Sequence, residues 1–354
     1  MRWLRSGSGI VFAVTWLALL MPAHGQGLRI RTGTPVPIEV KQTSEMALDY
    51  LVKTQTNNGT WQNTSYGQGP GVDGICCLAL LSSGEDPNYG IYADAIRKAL
   101  RSIISKQSET GLLSTNGNDH GSMYHHGFGT LALAEAYGAV DDDLLWKDAG
   151  KKGKTIGEAL EAAVKVTLEC QDQNPYGGWR YTPDAKDADV SVSGANIVAL
   201  LAAKNAGIEV PDTNMEKMVK LLEQSTDDSG AVAYQVGSVG FAFGDSNART
   251  SIACLSLAIA KEKEGKAFKA TIKYLSDRID QPASSGWPYY TRYYQAQALF
   301  QGDFEAWEKW NAMNTEMIQQ EQGDDGSIGG NAYSTGMSVL SMALNYRFLP
   351  IYER

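Results

Sequence analysis

The sequence has few of the residues that mark several large functional classes. Only four of its 354 residues are cysteines, at positions 76, 77, 170 and 254, and none forms the spaced pair of a zinc ribbon or a redox motif. We therefore expect free cysteines that pack as small buried apolar side chains. The 31 basic residues are outnumbered by 40 acidic ones, which argues against nucleic acid as a partner, because binding it requires a clustered basic face.

Long apolar runs are equally scarce. The run Ile10–Met21 follows Arg2 and Arg5 and precedes small residues at 23 and 25, the layout of a cleaved secretory signal. An uncleaved anchor is the alternative, but twelve residues are too few for a bilayer, which needs roughly 20. We predict a signal peptide over 1–25 and a linker over 26–43. The protein would then be exported to the periplasm or the cell exterior, and it would not span a membrane.

What the remaining sequence does contain is a repeat. One module recurs six times: an amphipathic helix, a glycine-bearing turn, and a helix rich in small and apolar residues. The six turns begin at Gly59, Gly111, Gly178, Gly230, Gly286 and Gly326. A polar insertion at 141–154 explains the longest interval between them. Repeats of this length predict one continuous stack of modules, so we assign 44–354 to a single domain.

The two helices of each module differ in apolar pattern. In the fifth module, Phe268, Ile272, Leu275 and Ile279 form one stripe, which indicates a helix with one wet face. The second helices, such as the one containing Ile75–Leu81, are apolar on every side and should be buried. We therefore predict an all-α fold, an α/α toroid of about six helical hairpins with inner and outer layers around a central cavity. The inner-helix N-termini, which carry partial positive charge, would meet at one mouth.

The ends of the first helices resemble the QW-type repeats of the terpene cyclase and protein prenyltransferase superfamily. Tyr50–Gln55 precedes Gly59-Thr60-Trp61, and Leu168–Gln171 precedes Gly177-Gly178-Trp179. The glutamine place is assigned in three other modules to Gln107, Gln224 and Gln320. The chain is most similar to small secreted bacterial proteins with prenyltransferase and squalene oxidase repeats, and this resemblance implies an α/α toroid whose inner helices line a cavity.

The resemblance does not extend to the catalytic motifs of the superfamily. Squalene-hopene cyclases use Asp-x-Asp-Asp, whereas this chain has Asp187-Ala188-Asp189-Val190. Protein prenyltransferases bind zinc with Asp-x-Cys, and no cysteine here has an aspartate two positions before it. The sequence therefore lacks a complete cyclase or prenyltransferase site.

Three polar clusters precede inner helices. The first contains His120, His125 and His126, with Tyr124 beside them. Imidazoles bind divalent metals and relay protons near neutral pH, so these histidines are candidate metal ligands and His126 a candidate catalytic residue. The alternative is that His126 begins the inner helix and donates to a carbonyl, while the other two histidines are solvated. A divalent metal is the one cofactor that the sequence suggests.

The second cluster combines Asp187 and Asp189 with Trp179, Arg180 and Tyr181. Paired carboxylates can act as general acid and base, as in glycoside hydrolysis, and aromatic side chains hold sugar rings. The alternative is helix capping by Asp189.

The third cluster, at the entry of the fifth inner helix, supplies Tyr289, Arg292 and Tyr293 as candidate ligand-binding residues. Aromatics with an arginine could stack on sugars or hold a polyisoprenoid, with core packing as the alternative.

These patterns leave three hypotheses on the function of the protein. The first is a binding protein that engages a lipid, glycan or protein partner at the cavity mouth. The second is a divergent enzyme, terpene-cyclase-like or carbohydrate-active, that uses Asp187, Asp189 and His126. The third is a scaffold whose cavity is filled by its own side chains.

Overall fold

The computed structural model describes residues 36–62, 67–115, 121–150, 152–236, 246–281, 286–346 and 348–349. They form six helical hairpins. The first two hairpins are α1 (Ile38–Thr54) with α2 (Pro70–Leu81), and α3 (Ala93–Ser105) with α4 (Ser122–Ala136). The short α5 (Asp142–Leu145) and a 3₁₀ turn (Lys147–Ala149) follow, within the predicted insertion.

The remaining four hairpins continue the pattern. They are α6 (Ile156–Gln173) with α7 (Val190–Asn205), α8 (Asp212–Gln224) with α9 (Asn247–Ile259), α10 (Lys266–Ser276) with α11 (Pro288–Gly302), and α12 (Phe304–Glu321) with α13 (Ala332–Met342). A 3₁₀ turn, Ala343–Asn345, follows α13. Strands β1 (Ala188–Asp189) and β2 (Gln235–Val236) pair antiparallel, with Asp189 opposite Gln235.

The two layers follow from the apolar patterns. Every residue of α2 is buried, whereas α10 buries one face that includes Phe268 and Leu275. All four cysteines are buried and free, which confirms their expected role as small core residues. No helix within the described residues is long and apolar enough to cross a membrane.

The inner helices close into a ring. Each of α2, α4, α7, α9, α11 and α13 packs against the next, and α13 packs against α2. The predicted α/α toroid is therefore confirmed. The first 35 residues, which include the predicted signal peptide, lie outside the described residues, and α1 begins at Ile38, inside the range predicted as linker.

The glycine turn between the two helices of a hairpin packs against the next outer helix. Gly59, Gly111, Gly230 and Gly326 all have φ between +82° and +106°. A Cβ at Gly326 would collide with the carbonyl oxygen of Met46 on α1, so both the backbone conformation and the close approach require glycine. The sixth turn thereby packs against the first outer helix.

A glutamine beside each of four turns makes two hydrogen bonds. Its Nε2 donates to the carbonyl of its own turn glycine and to a carbonyl on the next outer helix. The four are Gln55 (to Gly59 and Ala95), Gln107 (Gly111 and Ala159), Gln171 (Gly177 and Asn214) and Gln322 (Gly326 and Thr43). The predicted glutamine position was wrong in two modules. In the sixth module, Gln322 and not Gln320 makes these hydrogen bonds. In the fourth module, the equivalent position is Thr226 and not Gln224, because Thr226 forms the same antiparallel backbone bridge, to Val232, that Gln107 forms to Leu113.

Aromatic side chains cross the ring axis. In the cyclic order, α4 and α11 are opposite each other, yet the rings of Phe128 and Tyr293 lie 6.2 Å apart between centroids, and those of Tyr124 and Tyr290 lie 6.5 Å apart. Tyr294 packs edge-on against both Tyr290 and Tyr293 at 4.8 and 4.7 Å. At this level the axis that we expected to be a cavity is filled by side chains.

Candidate binding site at the mouth of the ring

Asp189 begins the third inner helix at the end of the ring where the inner-helix N-termini meet. Its Oδ1 accepts hydrogen bonds from the main-chain amides of Ser191 (2.7 Å) and Val192 (3.1 Å), which cap α7. The residue is completely buried, and its Oδ2 has no hydrogen bond of normal geometry within the described residues. Burial raises the pKa of Asp189, against the opposing effects of the Tyr234 hydroxyl, the capping amides and Arg180.

A polar network lies beside this carboxyl group. The guanidinium of Arg180 forms an ion pair with Asp187, whose Oδ2 also accepts a hydrogen bond of 2.7 Å from Gln235 Nε2. The short β1–β2 pairing brings these residues from two modules together. The side chains of Arg180 and Asp187 remain 22% and 33% exposed, so the network is held in place and yet reachable by a ligand.

Four tyrosines surround Asp189. The hydroxyls of Tyr181 and Tyr234 are hydrogen-bonded at 2.5 Å, and the ring of Tyr124 lies 6.3 Å from that of Tyr181. Tyr290 donates a 3.0 Å hydrogen bond to the carbonyl of Ser191. We call Tyr124, Tyr181, Asp189, Tyr234 and Tyr290 the tyrosine–aspartate cluster. Burial, and then the neighbouring Asp189, raise the pKa of Tyr124 well above its ordinary value, so this phenol is a neutral hydrogen-bonding group.

Both ring nitrogens of His126 are used inside the protein. Nδ1 accepts from the main-chain amide of Leu113 at 3.1 Å, and Nε2 lies 2.9 Å from Thr167 Oγ1 and 3.1 Å from the carbonyl of Ala163. Asp73, Ser193 and Thr335 accept from the amides of Trp61, Trp179 and Ile328 in the same way. His126 is thus one of a set of inner-helix side chains that hold the turns.

The other two predicted metal ligands are placed differently. His125 accepts a hydrogen bond from the amide of Gly71 at 3.2 Å, and His120 lies outside the described residues. Among the residues that the structure describes, no group of three histidine, cysteine or acidic side chains could hold a metal ion. The divalent metal stays a prediction.

The remaining candidate residues have contacts of their own. Trp179 is buried and donates from Nε1 to the carbonyl of Thr167 at 2.9 Å. Arg292 forms a two-pronged ion pair with Glu321 of α12 at 2.9 and 2.7 Å, and its guanidinium lies 5.4 Å from the ring of Tyr289. Tyr293 belongs to the aromatic filling of the axis. The structure therefore brings together Asp187, Asp189, Arg180, Tyr181 and Tyr124, whereas the side chains of Trp179, Arg292 and Tyr293 are engaged in the contacts given above.

Comparison with known proteins assigns the chain to a sequence family. Residues 41–286 match the family model described as "Domain of unknown function (DUF6288)". The chain belongs to the DUF6288 family. No curated protein sequence matches it.

Solved structures share the fold of this DUF6288 protein. The α-1,6-mannanase GH76A of Salegentibacter sp. HEL1_6, inactivated at two adjacent aspartates and bound to α-1,6-mannotriose, superposes with a TM-score of 0.63 at 14% identity, over 86% of this chain and 98% of that one. The type II terpene cyclase MstE from Scytonema, a variant bound to geranylgeranyl dihydroxybenzoate, gives a TM-score of 0.57 at 14% identity, over 88% and 98% of the two chains. At such identities the likeness establishes the fold alone.

Sequence reasoning missed Tyr234 and Gln235 of the DUF6288 protein. A signal was present, because Tyr234 follows the turn glycine Gly230 much as Tyr181 follows Gly178. The β1–β2 pairing that places Tyr234 against Tyr181 involves only two residues on each strand, and such a short pairing has no distinctive apolar pattern.

Proposed function

We propose that this DUF6288 protein is exported and binds a glycan at the mouth of the ring. The observation that carries the proposal is the partly exposed network of Arg180, Asp187 and Gln235 beside the hydrogen-bonded Tyr181–Tyr234 pair. The N-terminal layout of residues 1–25 supports export to the periplasm or the cell exterior.

The chemistry of the network suits sugars. A sugar hydroxyl both donates and accepts, and the mouth offers a guanidinium and an amide as donors, a carboxylate as acceptor and phenols that do both. Tyrosine rings add flat apolar faces for the carbon skeleton of a pyranose. Because these side chains already hydrogen-bond one another, little of their freedom is lost on binding.

The filled axis argues against a long polyisoprenoid inside the ring. Such a ligand would have to displace the contacts between Phe128 and Tyr293 and between Tyr124 and Tyr290, which join opposite inner helices. The fold shared with a mannanase that binds α-1,6-mannotriose supports a glycan as the ligand of the rim.

Isothermal titration calorimetry of the exported protein tests the proposal, with α-1,6-mannotriose as the first probe and an immobilised glycan panel as the survey. Tyr181→Phe and Gln235→Ala should each weaken the affinity for a bound glycan about twofold to tenfold, the worth of one hydrogen bond. Tyr137→Phe, an exposed tyrosine at the opposite end of α4, is the control and should bind like the wild type.

Absence of any saturable glycan binding would overturn the proposal. Lipid vesicles and protein pull-downs with the same variants would then decide between the other two partner classes.

A second candidate, glycan hydrolysis, is favoured by the buried carboxyl group of Asp189, whose Oδ2 makes no hydrogen bond of normal geometry within the described residues. A carboxyl group with a raised pKa can serve as a general acid near neutral pH. His126 has no part in this candidate, since both of its ring nitrogens are engaged. Release of reducing ends from a glycan that the wild type binds, abolished in Asp189→Asn with binding retained, would establish hydrolysis; binding without release would leave the protein a binding module.

A further inference from the structure

A cavity of about 350 Å³ opens at the end of the ring opposite the mouth. It lies where the ring closes, between α1 and the end of α2 from the first hairpin and α13 with its 3₁₀ turn from the last. Its walls include Leu48, Ile91 and Val339 as apolar elements. This volume lies in the range of small-molecule sites.

The charge of this closure cavity is predominantly negative. Glu45, Asp49 and Glu85 line it, against a single base, Lys41. Lys41 lies 3.8 Å from Glu45, with both side chains more than half exposed, so it offsets little of the charge. Neither Asp49 nor Glu85 takes part in an ion pair within the described residues. The C-terminal end of α2 adds partial negative charge at Ser82 and Ser83.

Two tyrosines bring the acidic groups together. Tyr92 is 5% exposed, and the pKa of its hydroxyl is raised to about 12 by burial and then by Asp49, Glu45 and Glu85. All three carboxylates line the same cavity as this phenol and act on it electrostatically. Tyr346 forms part of the opposite wall and also interacts with that phenol.

Ser44 supplies an independent sign of a missing partner. The residue is 5% exposed and lines the cavity, and its hydroxyl makes no hydrogen bond of normal geometry in the part of the chain that the structure describes. The Tyr346 hydroxyl interacts with the Ser44 hydroxyl, but outside normal hydrogen-bond geometry. A buried hydroxyl without a partner costs free energy that a donor from a ligand would recover.

The carboxylates are too dispersed for a single metal ion. The described residues contain no acidic group of three that could hold one. Glu45 and Asp49 are one turn apart on α1, about 5 to 6 Å, and Glu85 approaches from beyond the end of α2. Such spacing matches a chain of ammonium groups separated by methylenes, whose apolar parts would lie on Leu48, Ile91 and Val339.

We propose that the closure cavity binds a linear polyamine, with its ammonium groups on Asp49, Glu85 and Glu45, beside Tyr92 and Tyr346. Aromatic faces attract cations, and the Ser44 hydroxyl can accept a hydrogen bond from an ammonium group. The site is separate from the mouth, so its occupancy does not depend on glycan binding.

Calorimetric titration of the exported protein with spermidine tests this proposal. The wild type should bind one equivalent, more tightly than it binds butylamine, and more weakly as salt screens the charges. Asp49→Asn and Glu85→Gln should each lower the affinity about twofold to fivefold, and the double variant about fivefold to twentyfold.

A matched control separates the site from general charge attraction. Glu161→Gln with Glu216→Gln removes the same charge from exposed positions on other outer helices and should leave the affinity unchanged. Ser83→Trp, which places a large ring in the cavity, should abolish binding, while Tyr181→Phe at the mouth should not affect it. No saturable binding by the wild type, or equal losses in the cavity and control double variants, would overturn the proposal.

Discussion

Gln322 donates a 3.0 Å hydrogen bond from Nε2 to the main-chain carbonyl of Thr43, a residue 279 positions earlier. The same Nε2 lies 3.2 Å from the carbonyl of Gly326. Gln55, Gln107 and Gln171 make the equivalent pair of contacts between neighbouring hairpins, so the bond to Thr43 is the step that joins the last hairpin to the first.

Replacing Gln322 with alanine should therefore weaken the closure. The carbonyls of Thr43 and Gly326 each lose a hydrogen bond from Gln322, and we expect the free energy of unfolding in urea to fall by about 1 to 3 kcal/mol. Gln320→Ala is the control, because that side chain is exposed and its contact is a 3.4 Å hydrogen bond to Glu316 on the same helix. Equal effects of the two substitutions would contradict the assignment of closure to Gln322.

The turn glycines provide a second test. Gly326 and Gly207 both have positive φ, +86° and +95°, but only at Gly326 would a Cβ meet another backbone, that of Met46. Gly207→Ala should cost about 1 to 2 kcal/mol for the left-handed conformation. Gly326→Ala should cost about 1 to 3 kcal/mol more, because α1 must move. The difference between the two losses of unfolding free energy, measured in urea, gives the cost of the contact with α1. A difference near zero would show that the approach of Met46 does not require glycine at position 326.

His126 should make the protein sensitive to acid. Burial lowers the pKa of His126 from 6.5 to about 4, so below pH 6.5 the unfolded chain takes up a proton that the folded chain refuses. The contribution of the neutral His126 to the free energy of unfolding is thus fully present above pH 6.5 and is lost as the pH falls towards 4. Between pH 7 and pH 4.5 the wild type should lose roughly 2 to 3 kcal/mol more than His126→Asn, which cannot titrate.

Urea unfolding of both proteins at several pH values checks this. Parallel loss of stability in the wild type and in His126→Asn would show that another group is responsible. Binding of a divalent metal by the wild type but not by the variant would revive the metal prediction instead.

Asp189 should behave in the opposite sense. Because burial raises its pKa in the folded state, the folded chain holds a proton that the unfolded chain releases, and stability falls as the pH rises through that interval. Asp189→Asn keeps the acceptor that caps α7 and removes the charge. We expect it to be at least as stable as the wild type at pH 7, with the difference closing on acidification.

The alanine variant separates the cap from the charge. Asp189→Ala loses both hydrogen bonds to Ser191 and Val192, and should be about 1 kcal/mol less stable than Asp189→Asn in thermal or urea unfolding. If Asp189→Asn were the less stable of the pair, capping would not be the role of Oδ1.

The fold could be read from the sequence because its signals are local and repeated. The stripe of Phe268 and Leu275 on α10 and the all-apolar α2 assign each helix to its layer, and six turn glycines count the hairpins. The choice between Gln320 and Gln322 was not local. Both lie at the end of α12, and only the position of Thr43, far away in sequence, decides which one is used.

The site was harder to predict for two physical reasons. His126, Asp73, Ser193 and Thr335 all accept a hydrogen bond from a turn amide, but the turns differ in length. The acceptor lies 13, 12, 14 and 7 residues after its amide, respectively, so the shared role is not visible in the sequence. The filling of the axis depends on contacts between α4 and α11, which no periodicity reveals. Asp189 was recognisable as a cap, but its isolation among tyrosines depended on Tyr234 in the next module.

The turns give the ring a further property. The turns at Gly59, Gly111 and Gly230 each pack against the following outer helix, and the turn at Gly326 packs against α1, so the last hairpin is joined to the first. The start of α1 and the end of α13 lie at the same end of the ring and pack against each other. A circular permutant that links these two elements and opens the chain at Gly207, where nothing lies within 4 Å of the added Cβ, should assemble the same ring from a different starting hairpin.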